Sequence, residues 1–392
     1  MTEKPPVLRI NNARRGCTTD TRILARRGWL TYDVVVVGED ETIGYNPATG
    51  KNEWTPIVGL QHYGDAEVWK LQNSWFTAEV TPGHKWLVDQ QVTVQTETAC
   101  TECGREFATG RGMTKHRADV HGVLTPRRER FEEQLVATRD FKQSTRIYLS
   151  KPADLGDQLP ITDDEAELIG WIFGDGYMEP SGPTIVQSKP EQVHYLRGFM
   201  AAHFPCGEYV REPEGPQTHR IYRWKLTSEF WCDLASRSKA SKDDALNFVL
   251  SLSVSQREAF VRGFLSADGT RDPRTQNDRL GYAAFQVSGP VAEAIKVAAY
   301  LEGYRPDTRV KTEFDSDRFG MQPMECIGFR TPIVKGRNLP VVGTRTADVW
   351  GPTTTLGTWT ARQDQEIFLT ATDVRRRTSR PGLTSECSPS GR

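Results

Sequence analysis

Two stretches of the chain are apolar with helical spacing. Residues 168–176 read LIGWIFGDG and residues 261–269 read VRGFLSADG. Each has Gly at its third position, a small residue at its seventh and Asp-Gly at its end. The spacing predicts two helices whose small residues allow close approach, each closed by a glycine so that its Asp projects. Glu165, Glu167 and Glu258 lie in the run-in to these helices, and a candidate strand follows each: PTIVQS, then YAAFQVS. This repeat places Gln187 and Gln286 at equivalent positions. The rest of the apolar pattern is β-like. DVVVVG at 33–38, ETIGYN at 41–46, FTAEVTPGHKWLV at 76–88 and ADVWGPTTTLGTWTARQDQEIFLT at 347–370 read as strands and turns. Beyond 372, five Arg among Ser, Pro and Gly, without an aromatic residue, predict disorder.

Composition narrows the class. With 392 residues, 37 % hydrophobic and 26 % charged, two or three folded domains are expected and wholesale disorder is excluded. No apolar stretch approaches the roughly 20 residues that span a bilayer, and residues 1–16 lack the apolar core of a signal peptide. A soluble protein in the cytoplasm of a bacterial or phage-infected cell, without a membrane partner, is the expectation. The net charge of -1 does not by itself announce a nucleic-acid binder. Seven cysteines do not form a disulfide framework, and only two of them are tightly spaced.

Those two open Cys100-x2-Cys103-x12-His116-x4-His121, a spacing suited to tetrahedral Zn²⁺ held by two thiolates and two imidazoles. Phe107 and Met113 fall where a small ββα core is needed, and the segment resembles a C2H2 zinc finger along its whole length. Residues 105–130 carry Arg105, Arg111, Lys115, Arg117, Arg127, Arg128 and Arg130 against three acids. That local excess points to DNA phosphates. Helix positions that would face bases hold Thr109, Gly112 and Lys115, so sequence reading is weak there.

The paired Asp-Gly segments resemble the LAGLIDADG motifs of homing endonucleases. Two copies in one chain imply a monomer with a pseudo-twofold α+β fold. In that family the motif helices pack together and each delivers an acid to a divalent metal at a scissile phosphate. Here those acids are Asp175 and Asp268, with Mg²⁺ generating hydroxide. Lys225 is the candidate basic residue near the first centre, and Gln187 and Gln286 are candidate DNA contacts. Residues 161–335 hold 21 Lys/Arg against 25 Asp/Glu, which disfavours vigorous activity.

The flanks resemble a Hint (hedgehog/intein) domain. Cys17 opens it after Gly16, strands follow, and Thr81-x-x-His84 comes some 60 residues later. The resemblance implies that Cys17 attacks the Gly16 carbonyl, forming a thioester with the flanking extein peptide. His84 would protonate the departing amide nitrogen, and Thr81 would polarise the bond. The closing end departs from the family. The chain runs Leu369-Thr370-Ala371-Thr372-Asp373, with no Asn after Asn338 to form a succinimide, and Gly351 stands where an Asp or Cys commonly assists. The first step is provided for and the last is not.

The expected architecture is therefore multidomain. A leader at 1–16 precedes an all-β Hint domain at 17–96, a zinc finger at 97–126, and a Hint continuation at 127–160. The endonuclease at 161–335, the Hint closing part at 336–372 and a basic tail at 373–392 complete it. Partners are double-stranded DNA, Zn²⁺, Mg²⁺ and the chain's own flanking peptide. Two rivals remain: an endonuclease on an inert Hint scaffold, and a zinc-finger DNA-binding protein with a decayed catalytic core.

Overall fold

The computed structural model describes residues 15–92, 98–123, 130–212, 220–271, 280–311 and 323–372. Residues 1–14, Arg127, Arg128 and 373–392, on which the expected leader, two of the expected phosphate contacts and the expected basic tail fall, lie outside the described residues.

A 13-stranded antiparallel sheet is assembled from both ends of the chain. Its backbone is the long strand Lys51–Gln72 paired with Val341–Thr354. The short strand Cys17–Thr18 lies between Val341–Thr354 and Thr77–Val80, with Cys17 opposite both Trp350 and Val80. The last strand, Glu366–Ala371, pairs with Thr358–Gln363 and places Ala371 opposite Lys85. Trp86, Trp350, Trp359, Phe76 and Phe368 fill the core behind it. Ile333–Lys335 pairs with Arg146–Tyr148, so this sheet resumes three residues before 336.

DVVVVG is not a strand. Residues 32–39 form turns, because the Asp40 carboxylate accepts from Val36 N at 2.8 Å and from Arg27, whose guanidinium also reaches Val34 O. Val34, Val36 and Val37 are left exposed. Alternation alone had no means of weighing that side-chain anchor against a ladder.

Between the two parts of the large sheet lies a helical unit of two matching halves. Each half contains a four-stranded antiparallel sheet with the same order of pairing. Helix α1 (Gly110–His121) belongs to the Cys/His segment, and α2 (Asp163–Asp175) and α3 (Pro190–His203) to the first half. Next come α4 (Ser228–Ser238), α5 (Ala245–Leu250), α6 (Val254–Asp268) and α7 (Pro290–Leu301). Capping boxes start both long apolar helices: Thr162 with Glu165 for α2, Ser253 with Gln256 for α6.

Helices α2 and α6 cross at their glycines. A Cβ on Gly170 would lie 2.2 Å from Phe260 O, and one on Gly263 would lie 2.1 Å from Glu167 O. Gly174 meets the Ala267 methyl in the same way, at 2.5 Å. The helix-ending glycines work differently from the expectation. Gly176 (φ -95°) and Gly269 (φ -89°) are extended, not left-handed. Their hydrogen is needed because a Cβ would strike Ile172 O or Leu265 O, at 2.5 and 2.2 Å.

Candidate functional site

Chemistry-bearing side chains gather at three places. The first is the Gly16–Cys17 peptide. Thr81 N donates to Gly16 O at 3.0 Å, and Gly16 N donates to Thr81 Oγ1 at 3.2 Å. The carbonyl is thus polarised by the backbone of Thr81, while its hydroxyl holds the preceding amide. His84 Nε2 lies 3.8 Å from Cys17 Sγ. The His84 carbonyl is gripped by Thr138, through N at 2.8 Å and Oγ1 at 3.0 Å. Burial pushes the His84 pKa down to about 3, so the ring is neutral, and burial together with the Asp20 charge pushes the Cys17 thiol up. A protonated thiol thus faces a neutral imidazole. Gly351 lies at the same junction: a Cβ there would be 2.9 Å from Thr372 Cγ2 and 3.8 Å from Gly16 Cα. The two ends of the described part of the large sheet thus meet at Gly16.

The second place is the Cys/His segment. The ligand atoms of Cys100, Cys103, His116 and His121 all lie within 4.8 Å of one another. Cys103 Sγ is 3.2 Å from His116 Nε2, and the two Nε2 atoms are 3.2 Å apart. Tetrahedral zinc would set these edges at about 3.6 and about 3.4 Å, so the donor set and its spacing fit that metal. Met113 is buried and Phe107 packs on His116 with ring centroids 4.8 Å apart. Arg105, Arg111 and Lys115 are exposed. Arg117 is not offered to a phosphate, since it pairs with Glu102 at 3.1 Å. Thr109 caps α1 by accepting from Gly112 N at 3.2 Å.

The third place is where α2 and α6 end. Asp175 and Asp268 close these two helices, and the Asp268 charge is felt at Asp175. Burial first, then the Asp268 charge, raise Asp175 to about 7, against the pull of Lys189, Lys242 and the Gln187 amide. Burial also raises Asp268, opposed by the same two lysines. Lys189 Nζ donates to Ala267 O at 3.4 Å, and Lys242 Nζ donates to Gly176 O at 2.7 Å. Each ammonium therefore rests on a carbonyl next in sequence to one of the acids. Two crowded carboxylates held up by desolvation suit a hard dication, whose charge removes the repulsion.

Three sequence-predicted residues sit elsewhere. Lys225 pairs with Glu179 at 2.5 Å on the open face of the first sheet, and it is not beside Asp175. Strand alternation puts Lys225 and Arg223 on that face, with Tyr177 and Tyr209, while Trp224 and Leu226 turn inward. Gln187 faces the helices: its Nε2 donates to Asp175 Oδ2 at 2.7 Å. Gln286 shares the side of its strand with the buried Ala284, also away from the open face. Neither glutamine reads bases from there. The lysines that do flank the acids escaped the sequence reading. Lys189 follows Gln187 by two residues and lay within reach of the repeat; Lys242 is brought in from the connection between α4 and α5, which no local signal marks.

No family model matches the chain, and neither does any curated protein. Solved structures do match part of it. Mesophilic variants of the homing endonuclease I-DmoI share 13 % identity over 42 % of this chain and 88 % of theirs, with a TM-score of 0.26. The homing endonuclease I-WcaI bound to its DNA recognition sequence shares 14 % over 42 % of this chain and 75 % of its own, with a TM-score of 0.28. The N-terminal LAGLIDADG domain of DUF199/WhiA shares 12 % over 43 % and 77 %, with a TM-score of 0.28. Among the described residues no helix is long and apolar enough to cross a membrane.

Proposed function

We propose that the chain is a self-processing, intein-like element carrying a metal-dependent DNA endonuclease of the LAGLIDADG type. The observation that carries the endonuclease is the Asp175–Asp268 pair at the ends of two glycine-packed helices, flanked by Lys189 and Lys242. Magnesium, when bound by those carboxylates, supplies an activated water and a clamp on the scissile phosphate. The lysines steady the acids in the metal-free protein and stand ready to neutralise phosphate charge. Gln187 holds the Asp175 carboxylate in place. The open sheet faces, with Tyr177, Tyr209, Arg223 and Lys225 in the first half, are the surfaces offered to duplex DNA. The Cys/His segment is a zinc-bound handle on the same DNA, with Arg105, Arg111 and Lys115 as phosphate contacts.

A second activity is favoured by the geometry at Gly16. Cys17 Sγ bonds to the Gly16 carbonyl carbon, the Gly16–Cys17 C–N bond breaks, and His84 carries the thiol proton to the Cys17 nitrogen. The developing oxyanion sits on Thr81 N–H. Thr372, beside Gly351 and Gly16, has no carboxamide to cyclise, so the chemistry stops at an N-terminal thioester; water or added hydroxylamine then takes the Gly16 acyl group, the Cys17 thiol leaves, and the leader is released.

Two assays test this reading on the full chain. Supercoiled DNA libraries are incubated with Mg²⁺, and nicking that disappears in Asp175→Asn and Asp268→Asn protein is expected. Intact-mass spectrometry in hydroxylamine should show loss of residues 1–16, abolished in Cys17→Ala. Absence of cleavage from both assays leaves only metal-supported DNA binding and sinks the proposal.

A further inference from the structure

We infer that Thr370 is the residue that positions His84 against the Cys17 thiol, so that the N-terminal junction becomes reactive only once the last strand has docked. This rests on the self-processing reading of Gly16–Cys17. The His84 ring has one buried nitrogen, Nδ1, with no hydrogen-bond partner among the described residues. Its other nitrogen, Nε2, faces two groups: Cys17 Sγ at 3.8 Å and the Thr370 hydroxyl. The sulfur contact is long, so the hydroxyl is the firm polar anchor of the ring. Trp86 meets the imidazole edge-on, with centroids 5.5 Å apart, and limits its tilt without fixing which way Nε2 points.

Thr370 is itself fixed. It is fully buried on Glu366–Ala371, and its hydroxyl also reaches Lys85 O at 3.3 Å. Because a hydroxyl both donates and accepts, it serves Nε2 in either tautomer. Replaced by an isosteric Val, it would leave Nε2 with the thiol alone and free the ring to turn. Among the described residues the strand that brings Thr370 is the last in chain order, and it docks directly on this neighbourhood, with Ala371 opposite Lys85 and Leu369 N donating to Leu149 O at 2.7 Å. A chain that has not yet added this strand lacks the anchor. The leader therefore stays attached until the sheet is complete.

The test uses full-length Thr370→Val, Thr370→Ala and Thr370→Ser proteins with two readouts. One is the rate at which hydroxylamine releases residues 1–16; the other is the ¹⁵N shift of the His84 ring. Loss of one buried hydrogen bond predicts release slowed about tenfold in the Val and Ala variants, with Ser restoring the wild-type rate. The Nε2 resonance should move in Val and Ala and return in Ser. Wild-type release with an unslowed Val or Ala variant overturns the inference. If wild-type protein releases nothing, the self-processing reading falls, and the ring shift decides alone: an unmoved Nε2 overturns the positioning role, and a shift restored by Ser supports it.

Discussion

Asp175→Asn should make the protein more stable at pH 8 while removing its DNA cleavage. In the folded state Asp175 titrates near 7, against an ordinary value of 3.8, because burial and the Asp268 charge both oppose its ionisation. Each unit is worth about 1.36 kcal/mol, so the difference of roughly three units corresponds to about 4 kcal/mol of strain in the ionised form. The sign follows from proton counting. Between pH 4 and 7 the folded carboxyl retains a proton that the unfolded one has lost, so stability falls as pH rises through that window and levels off above it. An Asn carries no charge and can still accept from Gln187 Nε2 at the same place. Urea unfolding at pH 4 and pH 8 in EDTA should therefore show the variant ahead by about 2–4 kcal/mol at pH 8 and level with wild type at pH 4. Adding Mg²⁺ should close the gap, since only the wild-type site gains binding energy on folding. A variant less stable than wild type at pH 8 in EDTA would refute the argument that these two acids are held against their own repulsion.

Gly263→Ala places a methyl carbon 2.1 Å from Glu167 O, and the helix pair must part by about an ångström. A loss of about 3 kcal/mol in chemical denaturation, with loss of DNA nicking, is expected. Zinc stoichiometry should be one per chain, and chelation should speed amide exchange in 100–121 while leaving α2 and α6 protected; uniform deprotection would show that the segment is not an independent metal-held unit. Lys242→Met should cut nicking at least about tenfold by unbalancing the acid pair, whereas Lys225→Met should weaken DNA binding and its salt dependence with little change in the rate at saturating DNA.

The two Asp-Gly helices, the clustering of Cys100, Cys103, His116 and His121, and the nearness of Thr81 and His84 to Gly16 and Cys17 were readable from residue order. Each rests on a short-range rule: ligand spacing, helical periodicity, or a turn beside a strand. The small residues at 170, 174, 263 and 267 announced close helix packing correctly, because a missing Cβ means the same thing in sequence and in space. The glycines at 176 and 269 were read for the wrong reason. Their φ is ordinary, and only the preceding turn's carbonyl, seen in three dimensions, explains them.

What the tertiary structure alone decided is which distant residues share a site. Lys242 reaches the acids across a connection, Lys225 is drawn off by Glu179, and the faces of Gln187 and Gln286 follow from strand pairing. Thr370 meets His84 from 286 residues away. One sequence records the side chains that can do chemistry and the periodicity of the elements that carry them. It does not record strand register, and in a sheet a shift of one residue exchanges the buried face for the open one.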